Sequence, residues 1–161
     1  MQLKDKIDKN IKELLKTQFF GVLATTKDSG VHTSIVAFIS EENYESIFFS
    51  TLKASRKYDN ILHNPHVSLL VDNRNNLQND LTDAIAVSFV GSAKIVDETE
   101  MLRLKERMLQ RHRNFKDFLR SPNTAIISIR VDQIDYVSKF QNVITLRAHA
   151  ESFELFQEKK A

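Results

Sequence analysis

"FFSTLKASRKYDNILHNPHVSLLVD", residues 48–72, holds the sharpest change of pattern in the chain. An aromatic run reaches Thr51, a short helix starts near Ser55 and stops before Pro65, and "HVSLLVD" resumes as a strand. The first turn of that helix carries Arg56 and Lys57. A helix start bears partial positive charge, so each cation there is unfavourable by roughly 0.3–1 kcal/mol unless an anion sits nearby. Ser50, Thr51 and Ser55 add hydroxyls, and the first backbone N–H groups of the helix point at the same space. Hydroxyls, free amides and cations at a helix start make an anion site, with phosphate the usual occupant.

The flanking sequence sets the architecture. Leu3, Ile7, Ile11, Leu14 and Leu15 recur at helical spacing and predict an amphipathic helix over about residues 2–16. "QFFGVLATT", "VHTSIVAFIS" and "SIFFST" then read as strands joined by the polar turns "KDSG" and "EENYE". Gly30 is expected to supply the left-handed residue of the first hairpin. After "HVSLLVDN" comes a polar loop, "RNNLQNDLTD", and a long strand, "AIAVSFVGSAKIV", in which Gly91 marks a bulge or bend. Asp97 and Glu100 have capping-box spacing and open a helix expected to run to about Leu119. "TAIISIRV" and "IDYVSKFQNVITLRA" are two further strands, and a short charged tail closes the chain. Strands in succession argue against a parallel sheet. The fold class is mainly β (α+β): a six- to seven-stranded antiparallel barrel over about residues 18–147, flanked by helices, in one domain spanning 1–161.

Composition narrows the function. The chain has 161 residues, 42% apolar and 27% charged, with a formal net charge of +2, which gives little reason to invoke nucleic acid. Absence of cysteine removes disulfides, thiolate zinc sites and a Cys nucleophile. The opening "MQLKDKIDKNIKELLK" is too charged for a signal peptide, and no apolar run has membrane-spanning length, so a cytoplasmic protein without a membrane partner is expected. His63 and His66 are separated by a helix-breaking proline, and no metal site is expected. The basic stretch "RLKERMLQRHRNFKDFLR" carries Leu and Met at helical spacing and reads as a solvated helix face. No nucleophile–base pair is evident, so no catalytic residue is assigned.

The run "FFSTLKASRK...HNPHVSLLVD", with "GVHTSIVAFI" before it and "FVGSAKIV" after it, resembles the pyridoxamine 5′-phosphate oxidase family, the FMN-binding split barrels. The likeness extends over roughly residues 10 to 147. It implies that Thr51, Ser55, Arg56 and Lys57 hold the FMN phosphate and that residues 34–38 border the flavin ring; Ser50, Thr33, Ser34, Ile35, Val36 and Ala37 complete the cofactor-binding candidates on this side. It also implies a homodimer with FMN at the interface, where Gln141 and Asn142 of "KFQNV" are candidates for the contribution across it. The same likeness implies a flavoprotein oxidoreductase that takes electrons from NAD(P)H and passes them to a small acceptor. The alternatives are a non-enzymatic flavin or haem binder or sensor, for which His149 is a candidate haem residue, and use of the deazaflavin F420. Vitamin B6 oxidation is disfavoured, because Ser34 and Ile39 stand where the B6 oxidases carry an arginine and a lysine, and Arg147 is isolated.

Overall fold

The computed structural model describes residues 2–150 and 152–159. Helix α1 (Leu3–Thr17) leads into strands β1 (Phe20–Lys27), β2 (Gly30–Ser40) and β3 (Ser46–Leu52). Helix α2 (Arg56–His63), β4 (His66–Asp72), the single turn α3 (Asp80–Asp83) and β5 (Ile85–Ile95) follow. Helices α4 (Glu98–Arg111) and α5 (Lys116–Arg120) precede β6 (Thr124–Ser138), β7 (Asn142–His149) and β8 (Ser152–Lys159). The strands are antiparallel in the order β3-β2-β1-β4-β5-β6, and a β3–β6 ladder closes them into a six-stranded barrel. Strands β7 and β8 extend the sheet beyond β6.

Strand β6 serves three neighbours in its 15 residues. Thr124 to Arg130 pair with β3, Gln133 to Ser138 pair with β7, and β5 runs along the other edge. The switch comes at a bulge: Val90 pairs with Gln133 and Gly91 with Val131, leaving Asp132 unpaired between them. A Cβ on Gly91 would lie 1.9 Å from the Arg130 carbonyl oxygen, so only glycine lets the two backbones close to this distance.

The core has two layers. Inside the barrel Leu23, Phe38, Phe49, Leu69, Phe89 and Ile129 are fully buried. Outside it, α4 and α5 set Leu104, Met108 and Leu119 against Ile39, Phe48 and Ile126. Strands β2, β3 and β6 are therefore covered on both faces where these layers meet, which accounts for their unbroken apolar runs. Each such buried side chain contributes roughly 1.5–3 kcal/mol.

Helix α1 closes one mouth of the barrel with Ile7, Ile11 and Leu14. The Tyr44 hydroxyl donates to Asp8 at 2.7 Å, and Asn10 donates to the Tyr136 hydroxyl at 2.8 Å. Burial alone would raise the Asp8 pKa, but hydrogen bonds from Lys12 and Tyr44 outweigh it and hold the carboxyl below its usual range. Arg111 donates to the carbonyls of Leu15 and Gln18 at 2.8 and 2.6 Å and so caps α1 from α4. Arg107 pairs with Glu41 at 2.9 Å, so the basic helix spends these cations inside the fold. Helix α2 covers the opposite mouth. The outer face of β1, β2, β4 and β5 is left open, with Ile35 at 74%, Val31 at 69% and Phe20 at 57% exposure.

The barrel, its hairpins and the flanking helices agree with the sequence reading; several boundaries do not. "TAIISIRV" does not end at Val131 but continues through Asp132 as β6, and residues 139–141 of "KFQNV" form the turn to β7. The charged tail is largely the strand β8, anchored by Phe153, which is buried and stacks on Tyr44. The helix expected to reach Leu119 stops at Arg111, where the His112 ring turns to the Phe38 carbonyl at 2.9 Å. Asp28, with φ 54°, takes the left-handed position of the first hairpin instead of Gly30, because Lys27 pairs directly with Gly30 across a two-residue turn.

Replacing Gly91 with alanine forces the β5 and β6 backbones apart at the bulge. Gly91→Ala should cost about 1–3 kcal/mol, read as a lower urea midpoint; an unchanged midpoint would show that β6 can bend without this approach.

Candidate functional site

The β2–β3 ladder is short. Only Phe38 with Phe49, Ile39 with Phe48 and Ser40 with Ile47 are paired. Beyond them residues 30–37 of β2 pair with β1 alone, and residues 50–52 of β3 pair with β6 alone. The barrel wall is split there, and β2 shows unladdered backbone groups to the gap. Helix α2 lies at this opening.

The loop from β3 delivers Ser55 as the N-cap of α2. Its hydroxyl is 2.8 Å from that of buried Thr51 and accepts from the Tyr58 amide at 3.3 Å. The amides of Arg56 and Lys57 have no partner among the described residues. Arg56 is exposed and reaches back over the mouth, its Nη1 lying 2.7 Å from His32 Nε2. Lys57 is half-buried on the same turn. One hydroxyl pair, two free amides and two cationic residues thus stand at the first turn of α2. This donor set suits a compact anion carrying several oxygens.

The helix is pinned to the end of the β1–β2 hairpin. Asn60 donates to Thr25 at 2.9 Å, Asn64 donates to Thr26 at 2.7 Å, and Lys27 meets Asp59 at 2.7 Å. The hydrogen bond from Lys27 is the main influence on Asp59 and holds its carboxyl below the usual carboxylate range.

The structure brings Thr51 and Ser55 into contact, with Arg56 and Lys57 on the turn that follows, but it turns Ser50 the other way. Alternation sends Thr51 inward with Phe49 and Ser50 outward with Phe48. The Ser50 Oγ is buried on that outer side without a hydrogen-bond partner among the described residues. The same alternation divides residues 33–37. Ser34 and Val36 face inward, while Thr33, Ile35 and Ala37 face outward, Thr33 and Ile35 exposed and Ala37 covered. A planar group laid along β2 would meet these last three, with Ser50 as a spare donor on the same side. Gln141 and Asn142 stand at the β6–β7 turn, where Lys139 and Phe140 have φ of 49° and 63°. They are remote in register from the α2 cluster of the same chain.

Sequence reasoning missed His32, Thr25 and Asn60. Their signal was present but weak: Thr25 and His32 pair across β1–β2, a register that follows once the hairpin turn is given two residues. Among the histidines that were considered, His63 bonds the Asp59 carbonyl at 2.8 Å and His149 lies 3.7 Å from Glu154. No helix among the described residues is long and apolar enough to cross a membrane.

The sequence profile of the pyridoxamine 5′-phosphate oxidase family matches residues 7–138. No curated protein matches the chain. The fold is similar to that of a haem-binding protein from Mycobacterium smegmatis (TM-score 0.76, 15% identity), covering 87% of this chain and 57% of that one. It is also similar to General Stress Protein 26 from Bacillus anthracis (TM-score 0.70, 23% identity, 88% and 98% covered). A third likeness is to an FAD-binding protein from Mesorhizobium loti (TM-score 0.64, 14% identity, 80% and 91% covered).

Ser55 links β3 to the start of α2. Ser55→Ala removes both the cap and the partner of Thr51, and should cost about 1 kcal/mol. For a chain of this size that lowers Tm by about 2–4 °C in a thermal melt; an unchanged Tm would mean the cap does not hold α2.

Proposed function

The chain belongs to the pyridoxamine 5′-phosphate oxidase family, and on that basis we propose that it binds FMN at the β2–β3 gap of a homodimer and acts as a small oxidoreductase. The observation that carries this reading is the donor set at the start of α2. Thr51 and Ser55, the free amides of Arg56 and Lys57, and both cationic side chains suit a phosphate monoester. The orphaned Ser50 hydroxyl and the outward Thr33, Ile35 and Ala37 suit a flat ring along β2.

In this reading Ser55 and the α2 amides bind the phosphate, and Arg56 and Lys57 neutralise it. Thr33, Ile35 and Ala37 orient the ring, and the open face excludes water once a second chain covers it. The flavin, when bound, supplies the transfer of electrons from NAD(P)H to a small acceptor. Such chemistry asks no acid or base of the chain. The setting is the cytoplasm, where reduced nicotinamide nucleotides are at hand.

Two features support the dimer. Val31, Ile35 and Phe20 make an exposed apolar patch on one face, next to the half-buried Val22 and Leu70. Gln141 and Asn142, far from α2 in their own chain, are free to serve a partner's site. Vitamin B6 oxidation fits less well: Ser34 offers no charge, and Ile39 is buried beneath α4. Haem is the alternative occupant, on the strength of its binding by a protein of similar fold. The phosphate-shaped donor set favours FMN, and the absorption spectrum of the purified protein separates flavin bands from a Soret band.

Arg56→Glu places a like charge against the phosphate and removes a donor. Losing a charge-assisted hydrogen bond costs roughly 1.5–3 kcal/mol, so FMN affinity should fall at least about tenfold. Riboflavin, which has no phosphate, should be affected far less. Fluorescence quenching of both flavins checks this, and equal FMN affinity in the two proteins would leave Arg56 a solvated cation.

Ile35→Glu puts a charge in the middle of the open face. Sedimentation should then show a monomer where the wild type is a dimer; a flavin-loaded wild-type monomer at micromolar concentration would sink the dimer.

A further inference from the structure

We infer that His32 is a positioning residue for the phosphate site: its imidazole accepts a hydrogen bond from Arg56 and holds the guanidinium over the first turn of α2. The inference rests on the flavin-phosphate reading of that site and assigns a role to a residue outside it. A guanidinium only donates, so the ring nitrogen 2.7 Å from Arg56 Nη1 must present its lone pair; the second ring nitrogen is 3.3 Å away.

The choice of partner is the telling point. A carboxylate partner would cancel the charge of Arg56 and occupy its donors. Asp59, the acid on the first turns of α2, is bonded to Lys27 at 2.7 Å instead. Arg56 therefore rests on an uncharged acceptor. Its direction is set, while its positive charge and its remaining N–H donors stay available to an anion.

His32 is itself held in place. It pairs with Thr25 across the β1–β2 ladder, and Thr25 is fully buried and accepts from Asn60 of α2 at 2.9 Å. The hairpin end thus fixes the helix through Asn60 and the side chain of Arg56 through His32. A long exposed arginine loses rotamer freedom on binding, and part of that loss is already met before the ligand arrives.

The test is a set of FMN and riboflavin titrations against the wild-type chain and the variants His32→Leu, His32→Gln, Arg56→Leu and the double variant His32→Leu/Arg56→Leu. His32→Leu should weaken FMN binding about three- to tenfold, the worth of one modest hydrogen bond, and leave riboflavin unchanged. His32→Gln, which keeps an acceptor, should restore most of the loss. In the Arg56→Leu background, His32→Leu should have no further effect. Equal loss for both flavins, full additivity with Arg56→Leu, or unchanged FMN binding in His32→Leu would each overturn the role of His32. A wild-type chain that does not distinguish FMN from riboflavin removes the phosphate site itself, and the role of His32 falls with it.

Discussion

The close approach of Gly91 to the Arg130 carbonyl is the constraint on which the rest of the structure depends. Strand β6 must leave β3 and take up β7 while keeping β5 along its other edge. A straight strand offers only two edges, each to one neighbour at a time. The bulge at Asp132 bends β6 between its two duties, and the missing side chain at Gly91 lets β5 follow the bend. The Val131 amide, freed at the bend, donates to the Glu45 carbonyl at 2.9 Å and ties the corner to the β2–β3 turn. Closure by β3 then places Thr51 at the mouth where α2 must start.

The geometry at that mouth is set by unequal interactions. The Lys27–Asp59 pair is half exposed, so water screens it and it adds little to stability. Asn60 is buried against Thr25, and leaving either group unpaired there would cost about 1–3 kcal/mol. The hydrogen bond, more than the ion pair, holds α2 to the hairpin. With the helix fixed in this way its first turn keeps two cations and two open amides, against the preference of its own dipole. Local strain of this sort persists where the surrounding fold imposes it.

Much of this was legible in the chain. Period-two alternation gave the strands, the "SRK" turn showed its conflict with the helix dipole, and the glycine within "FVGSA" marked the bend. What escaped was set by distant partners. Alternation puts the hydroxyls of Ser50 and Thr51 on opposite faces, but nothing near them says which one turns toward α2 until β3 is known to be covered on both sides. His32 lies in a strand of ordinary pattern, and its meeting with Arg56 depends on the register of a hairpin and the docking of a helix 24 residues later. Strand β8 was hidden by its charges, because only Phe153 turns fully inward. The helix break at His112 likewise depends on a carbonyl from β2.

Strand β8 is also an edge of the sheet among the described residues, and an edge strand is a template on which another chain can add. Here the register slips between Thr145 and Leu146, so that Phe156 is the unpaired residue of a bulge, and the guanidinium of Arg147 sits 3.5 Å from its ring centroid. A kinked and charged border of this kind does not match a flat incoming strand. Growth of the sheet from molecule to molecule, the route to amyloid-like ribbons, is thereby hindered at this edge.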